Sequence, residues 1–150
     1  MPGFFTRYHT FEHDPHAPIR GEFNRLARQF GWDKDLRRRK WVQCAEEEFG
    51  FVFGGGGRAS PTLAKWHAML EFCGVDDYLP ASVGECKKII RDEVFVNIFD
   101  MLDAKRTGGA LRKHDSKEEL KEYFRRTGKI FPLANAKENV FLAVLLIKMF

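Results

Sequence analysis

The chain has 150 residues, of which 44% are hydrophobic and 31% are charged, with only 6 prolines. This composition excludes a disordered or low-complexity protein, and the length favours one globular domain with a core of its own. The formal net charge of +4 is a mild basic excess, which permits an anionic partner without requiring one.

Cysteine usage and hydropathy give an expected location. The 3 cysteines, Cys44, Cys73 and Cys86, are odd in number and widely spaced. This argues against a disulfide framework and for a reducing, intracellular compartment, either cytoplasm or nucleus. We read no secretory signal in residues 1–20, and the longest apolar run, 140–147, is far shorter than the roughly 20 residues that cross a bilayer. We therefore expect no membrane association.

Residues 1–17 are predicted to form an N-terminal aromatic arm that precedes a single helical domain of residues 18–150. The arm carries an aromatic cluster, Phe4, Phe5, Tyr8 and Phe11. Such rings pack either on the body of the chain or on a partner. His9, His13 and His16 have spacings that would suit metal ligands on a helix, but Pro15 interrupts that helix. No metal site is expected there.

Capping signals predict two helices after the arm. Pro18 suits the first position of a helix whose apolar stripe runs to Phe30, and Gly31 suits its C-terminal cap. Asp33 can cap a second, phenylalanine-rich helix that extends to the glycines at 54–57. We expect this glycine run to be a flexible linker, because it lacks the preceding strand and the Gly-Lys-Ser or Gly-Lys-Thr ending of a phosphate-binding loop.

The next two helices supply the centre of the predicted fold. Ser60 and Pro61 predict the start of a third helix. The capping box 82–85 predicts a fourth helix that runs to about residue 102. Its second half is apolar on nearly every side, as in an enclosed central helix, although its β-branched residues could also form a strand. The predicted core includes Val94, Ile98, Met101, Val144 and Leu145, with Asn97 as a polar group among them.

The capping box 116–119 predicts a fifth helix that ends at Gly128, and the last helix is expected to start near Asn135. No segment shows convincing period-two alternation, and no segment repeats at a fixed spacing. The sequence therefore predicts an all-α fold, a compact single-domain bundle of about six helices with a central apolar helix.

Several short patterns are shared with one type of protein. They are Gly31-Trp32, Cys86-Lys87-Lys88, Leu120 to Phe124, Lys129-Ile130-Phe131-Pro132, Ala136-Lys137 and Leu145-Leu146. In these patterns most of the chain resembles short helical proteins of filamentous fungi for which no activity is known. The resemblance implies a eukaryotic intracellular protein and implies no catalytic residue.

The strongest charge feature is the segment 20–40, where eight cations stand against three carboxylates. Trp32 and Trp41 flank its most basic part, and cations beside flat rings suit phosphate contact with base stacking. The candidate nucleic-acid-binding residues are Arg28, Trp32, Arg37, Arg38, Arg39 and Lys40. The alternative is a solvated basic face without a ligand, which is what most such runs are.

Catalysis has the least support. His67 and the cysteines lack a Cys-x-x-Cys pair for zinc, and Cys73 and Cys86 lie on apolar stripes where thiols act as small hydrophobic groups. The paired carboxylates are local, with nothing nearby to perturb them. No enzyme activity, cofactor or metal is expected.

The arm and the fourth and last helices carry more apolar side chains than the outer helices of a small bundle can readily bury. The sequence therefore favours a non-enzymatic protein-interaction module whose partner is a second copy of the chain or another protein. The candidate partner-binding residues are Phe4, Phe5, Tyr8, Phe11, Phe141 and Phe150. A monomeric bundle that buries the same residues, and nucleic-acid binding through the segment 20–40, remain the alternatives.

Overall fold

A computed structural model describes residues 3–57, 59–132 and 138–146. Over these ranges the chain forms a short 3₁₀ helix and seven α-helices, with no strand beyond an isolated antiparallel bridge between Val96 and Lys113. The 3₁₀ helix is Phe4–Arg7, and the α-helices are α1 (Ile19–Phe30), α2 (Lys34–Phe53), α3 (Leu63–Phe72), α4 (Val83–Glu93), α5 (Ile98–Thr107), α6 (Lys117–Thr127) and α7 (Val140–Leu146). The all-α prediction is confirmed, with seven helices where about six were expected.

Local capping chemistry sets most of the helix ends. Gly31 takes the left-handed conformation that closes α1, with φ of 62°, and Gly128 closes α6 in the same way. The side chains of Asp33, Ser82 and Ser116 each accept a backbone N–H in the first turn of their helix. These predicted ends are confirmed.

Helix α3 begins two residues later than predicted. Thr62, rather than Ser60, is the N-cap, and its hydroxyl accepts the N–H of Lys65 at 3.3 Å. The predicted start of the last helix at Asn135 lies outside the described residues. Within them α7 begins at Val140, and the side chain of Asn139 accepts the N–H of Leu142 at 3.1 Å.

The predicted long fourth helix is wrong, because residues 94–97 leave the helix and divide it into α4 and α5. Val94 is extended, with φ of −106° and ψ of 112°, and the carbonyl of Phe95 accepts the N–H of His114 at 2.9 Å. Asn97 then restarts the helix by accepting the N–H of Asp100. The β-branched valines at 94 and 96 favour the extended backbone, and the asparagine favours a new helix start.

Helix α5 is the centre of the core, as expected of the apolar segment. It packs against α1 and α2, while α4 packs against α3 and α7. Of the predicted core residues, Val94, Ile98, Met101 and Leu145 are buried and Val144 is half-buried. Asn97 is also buried, and its amide donates to the carbonyl of Lys129 at 2.8 Å, which satisfies the polar group inside the core.

The N-terminal segment 3–17 packs on the body of the chain, which is one of the two arrangements expected for it. Phe4, Phe5 and Phe11 belong to the buried core, and Tyr8 is half-buried. The backbone of this segment is held by side chains of α2 and α5. The amide of Phe4 donates to Glu48 at 2.8 Å, and the carbonyl of Ala17 accepts from Arg106 at 2.7 Å.

The glycine run contacts the last helix. The carbonyl of Gly55 accepts the N–H of Val140 at 2.9 Å, and the carbonyl of Gly54 accepts the amide of Asn139 at 2.8 Å. Gly55 is buried with φ of 89°, a backbone conformation that L side chains rarely adopt. The segment expected to be a linker is therefore part of the packed structure.

Candidate functional site

A groove of about 370 Å³ lies between α1 and the beginning of α2. Its lining combines cations with aromatic rings, and it contains no carboxylate. The lining residues are Arg20, Phe23, Asn24, Trp32, Lys34, Arg37, Arg38 and Trp41. Four cations thus share one concave surface without a carboxylate in its lining.

Helical spacing explains why these residues meet. Arg20 and Asn24 lie one turn apart on α1, and Lys34, Arg38 and Trp41 follow one another at intervals of three and four residues on α2. The turn closed by the left-handed Gly31 reverses the chain between the two helices. Both basic faces therefore line the same groove.

Arg20 and Arg37 are held in place by groups of the groove itself. The guanidinium of Arg20 lies over the indole of Trp41, 4.3 Å from the ring centre, in a cation–π contact. Arg37 donates to the side-chain carbonyl of Asn24 at 3.3 Å. Burial, together with the positive charge of Arg37, lowers the pKa of Arg20. The two guanidinium groups thus repel each other within the groove.

No carboxylate neutralises these cations. Among the residues that the structure describes, none of the four basic side chains of the groove forms an ion pair. Lys34 also lies at the first position of α2, where the helix dipole disfavours positive charge. The nearby carboxylate of Asp33 already accepts the N–H of Leu36. A bound anion would relieve both unfavourable electrostatic effects.

The tryptophan rings form the walls of the groove. Phe99 stacks on Trp41 with ring centres 5.2 Å apart, and Phe23 presents its ring to Trp41 at 5.1 Å. Trp32 contacts Tyr8 at 5.6 Å and Phe30 at 6.1 Å. The N-terminal segment therefore supports one wall of the groove through Tyr8.

Only some of the predicted nucleic-acid-binding residues line the groove or lie beside it. Trp32, Arg37 and Arg38 line the groove, and the ammonium of Lys40 lies 5.8 Å from the centre of the Trp32 ring. Arg39 lines a separate hollow that also contains Glu46 and Glu47. Arg28 is exposed on α1 and does not line the groove.

The groove is also lined by residues that the prediction did not include, namely Arg20, Phe23, Asn24, Lys34 and Trp41. Arg20 and Lys34 are two of the eight cations of the segment 20–40, but they are not among the predicted contacts. The four-residue spacing of Arg20 and Asn24 places both side chains on one face of the first helix. Their position in a groove can be recognised only when it is known that α2 faces them.

The predicted partner-binding residues are largely covered by the chain itself. Phe4, Phe5 and Phe11 are buried, and Phe141 is buried against Trp66 with ring centres 4.6 Å apart. Tyr8 is half-buried, and Phe150 lies outside the described residues. The partner surface stays a prediction, and the four buried rings, Phe4, Phe5, Phe11 and Phe141, are accessible to a partner only if the chain rearranges.

The three cysteines are buried, and no disulfide joins them. Burial raises the pKa of the Cys44 thiol, so the reactive thiolate is disfavoured there. In the described part of the chain no group of three His, Cys, Asp or Glu side chains could hold a metal ion.

Within the same ranges no helix is both long enough and apolar enough to cross a bilayer. No protein family, curated protein or solved structure matches the chain. The groove therefore has to be interpreted from its own chemistry.

Proposed function

We propose that this protein is a non-enzymatic nucleic-acid-binding protein that holds the phosphate backbone in the groove between α1 and α2. One observation carries the proposal. Three arginines and one lysine line a single groove that contains no carboxylate. Phosphate contacts from such residues supply most of the sequence-independent affinity for nucleic acids.

The choice and placement of the cations support this function. Guanidinium groups present several donors in one plane and bind phosphate oxygens in pairs, which a lysine cannot do. The contact with Trp41 positions Arg20, and the hydrogen bond to Asn24 positions Arg37, before any ligand arrives. This preorganisation reduces the side-chain entropy lost on binding.

The aromatic N-terminal segment is not part of the proposed interface. Phe4 and Phe5 are buried, and a protein partner would have to displace the segment from α2 and α5 to reach them. The groove requires no such rearrangement, so the geometry favours the nucleic-acid function over the protein-interaction function.

The test is a fluorescence anisotropy titration of labelled nucleic acid with the wild type and with the double variant R37E/R38E. The matched control is R125E/R126E, another adjacent arginine pair on a helix, which does not line the groove. Each double reversal changes the formal charge from +4 to 0, so overall charge is the same in both variants.

Four phosphate contacts predict that log affinity falls with log salt at a slope of about −3.6 on duplex DNA. We expect R37E/R38E to weaken binding strongly and to reduce the slope to about −1.8, because two contacts are lost. R125E/R126E should retain the wild-type slope. Equal weakening by both variants would mean that overall charge, rather than the groove, attracts the ligand.

A further inference from the structure

We infer that the groove binds double-stranded nucleic acid in preference to single strands. This inference rests on the proposed function and names its substrate class. Proteins that bind single strands combine cations with aromatic faces on which unpaired bases stack. The groove has the cations, but the faces of its tryptophans are occupied by other side chains of the protein.

A cation and an aromatic ring of the protein already stack on Trp41. The guanidinium of Arg20 lies 4.3 Å from its ring centre, and Phe99 stacks on it at 5.2 Å with an angle of 23° between the planes. A nucleobase could replace only Arg20, because Phe99 is buried in the core. That exchange would remove one of the cations that bind phosphate.

Trp32 is half-buried and also has an aromatic ring stacked on it. Phe30 lies nearly parallel to it, at 28° and 6.1 Å, while Tyr8 and Phe23 contact it at 5.6 Å and 6.0 Å. The ammonium of Lys40 adds a fourth neighbour at 5.8 Å. Phe30 is an exposed ring beside this site, and it does not line the groove.

A duplex fits the remaining chemistry. It carries about one phosphate charge per 1.7 Å of its axis, twice the density of one of its strands, and its bases are already stacked on each other. Each of the four cations therefore releases more counterion on a duplex than on a single strand, with a salt slope of about 0.9 rather than about 0.7 per contact. Asn24 is the one side-chain amide of the groove lining, and its carbonyl oxygen accepts from Arg37, while the three arginines that bind phosphates are not free to read guanine edges.

The experiment compares a labelled 20-base-pair duplex with each of its separated strands, chosen without self-complementarity, at one low salt concentration. We expect the duplex to bind about tenfold more tightly than either strand, and a duplex of unrelated sequence to bind equally well. Tryptophan emission should not be quenched by the single strands, because no base stacks on Trp32 or Trp41.

A matched variant tests the exposed ring. Because Phe30 stacks on Trp32, Phe30→Ala should uncover that ring face and increase single-strand affinity and tryptophan quenching relative to the wild type, whereas a single-strand platform that uses Phe30 itself would lose affinity with this substitution. In the wild type, single-strand binding that equals or exceeds duplex binding, or tryptophan quenching by single strands, would overturn the preference while leaving the proposed function in place. Absence of binding to both forms at low salt would overturn the proposed function itself.

Discussion

Glu48 and Arg106 form an ion pair of 3.0 Å inside the protein, and both side chains are only 4% exposed. The same two side chains hold the N-terminal segment. Glu48 accepts the N–H of Phe4, and Arg106 donates to the carbonyls of Asp14 at 3.1 Å and Ala17 at 2.7 Å. Burial raises the pKa of Glu48, against the opposing effects of the Phe4 N–H and of Arg106. One pair therefore joins α2, α5 and the segment 3–17.

Removal of Glu48 should destabilise the protein severely. Glu48→Ala leaves the charge of Arg106 buried without a partner and the N–H of Phe4 without an acceptor, and we expect a loss of about 3–5 kcal/mol. Urea unfolding followed by circular dichroism measures this loss. The control is Glu47→Ala, which breaks the more exposed ion pair with Arg7 and should cost less than about 1 kcal/mol. Similar losses in the two variants would contradict the structural role of the buried pair.

Glu22 should make the stability depend on pH in the acid range. Its buried carboxylate accepts hydrogen bonds from Arg25 and from the backbone of Asp14, both at 2.7 Å, and contacts His13 at 3.1 Å. Burial by itself raises the pKa of Glu22, but these contacts together lower it below the ordinary value of 4.5. The unfolded chain therefore binds this proton more tightly than the folded protein does.

It follows that the stability contributed by Glu22 is present above about pH 4.5 and is lost as the pH falls through its lower folded-state pKa. We expect Glu22→Gln to be less stable than the wild type at pH 7, and the difference in melting temperature to narrow as the pH falls below about 4.5. Burial raises the pKa values of Glu48 and Asp103, so these two groups change the stability with pH in the opposite direction. Both groups are present in the wild type and in the variant, so they do not affect the comparison. A difference in melting temperature that stays constant with pH would contradict the assignment.

Two glycines of the run 54–57 should differ in their tolerance of alanine. Gly55 and Gly57 have similar positive φ angles, 89° and 86°. A Cβ atom on Gly55 would lie 2.6 Å from the side-chain oxygen of Asn139 and 2.7 Å from the ring of Phe141, whereas Gly57 has nothing within 4 Å. Both alanine variants incur the backbone cost, and only Gly55→Ala adds overpacking of about 1–3 kcal/mol. Equal melting temperatures for the two variants would show that the glycine run does not pack on α7.

Asn97 should contribute through two separable hydrogen bonds. Its oxygen caps α5 at Asp100, and its amide group donates to the carbonyl of Lys129. Asn97→Ser keeps a capping oxygen but cannot replace the donor, and Asn97→Ala loses both. We expect the serine variant to be less stable than the wild type and the alanine variant to lose about a further 1 kcal/mol. Chemical denaturation of the three proteins gives the order, and serine and alanine variants of equal stability would exclude the cap.

The helix boundaries that could be predicted are those whose cause lies within a few residues. Gly31 and Gly128 end helices because glycine readily takes the left-handed conformation, and Ser82 and Ser116 begin helices because their hydroxyls reach a backbone N–H three residues later. These interactions need no tertiary structure, so they can be recognised from the order of the residues.

The features that sequence reasoning did not resolve depend on distant residues. Residues 94–97 are compatible with helix or strand, and the contact with Lys113 and His114 accompanies the extended form. The groove needs α1 and α2 to face each other before Arg20 and Arg37 become neighbours. The sequence allowed two arrangements of the aromatic segment, packing on the body of the chain or binding a partner. Its contacts with Glu48 and Arg106 are known only from the folded chain.

The attachment of the N-terminal segment also affects the order of folding during synthesis. Asp14 and Arg106 are 92 residues apart, so the segment leaves the ribosome long before its guanidinium partner exists. During that interval the rings of Phe4, Phe5 and Phe11 lack part of the core that covers them in the finished protein. We expect the nascent chain to present these rings to chaperones until α5 has emerged, because the segment cannot reach its complete set of partners before then.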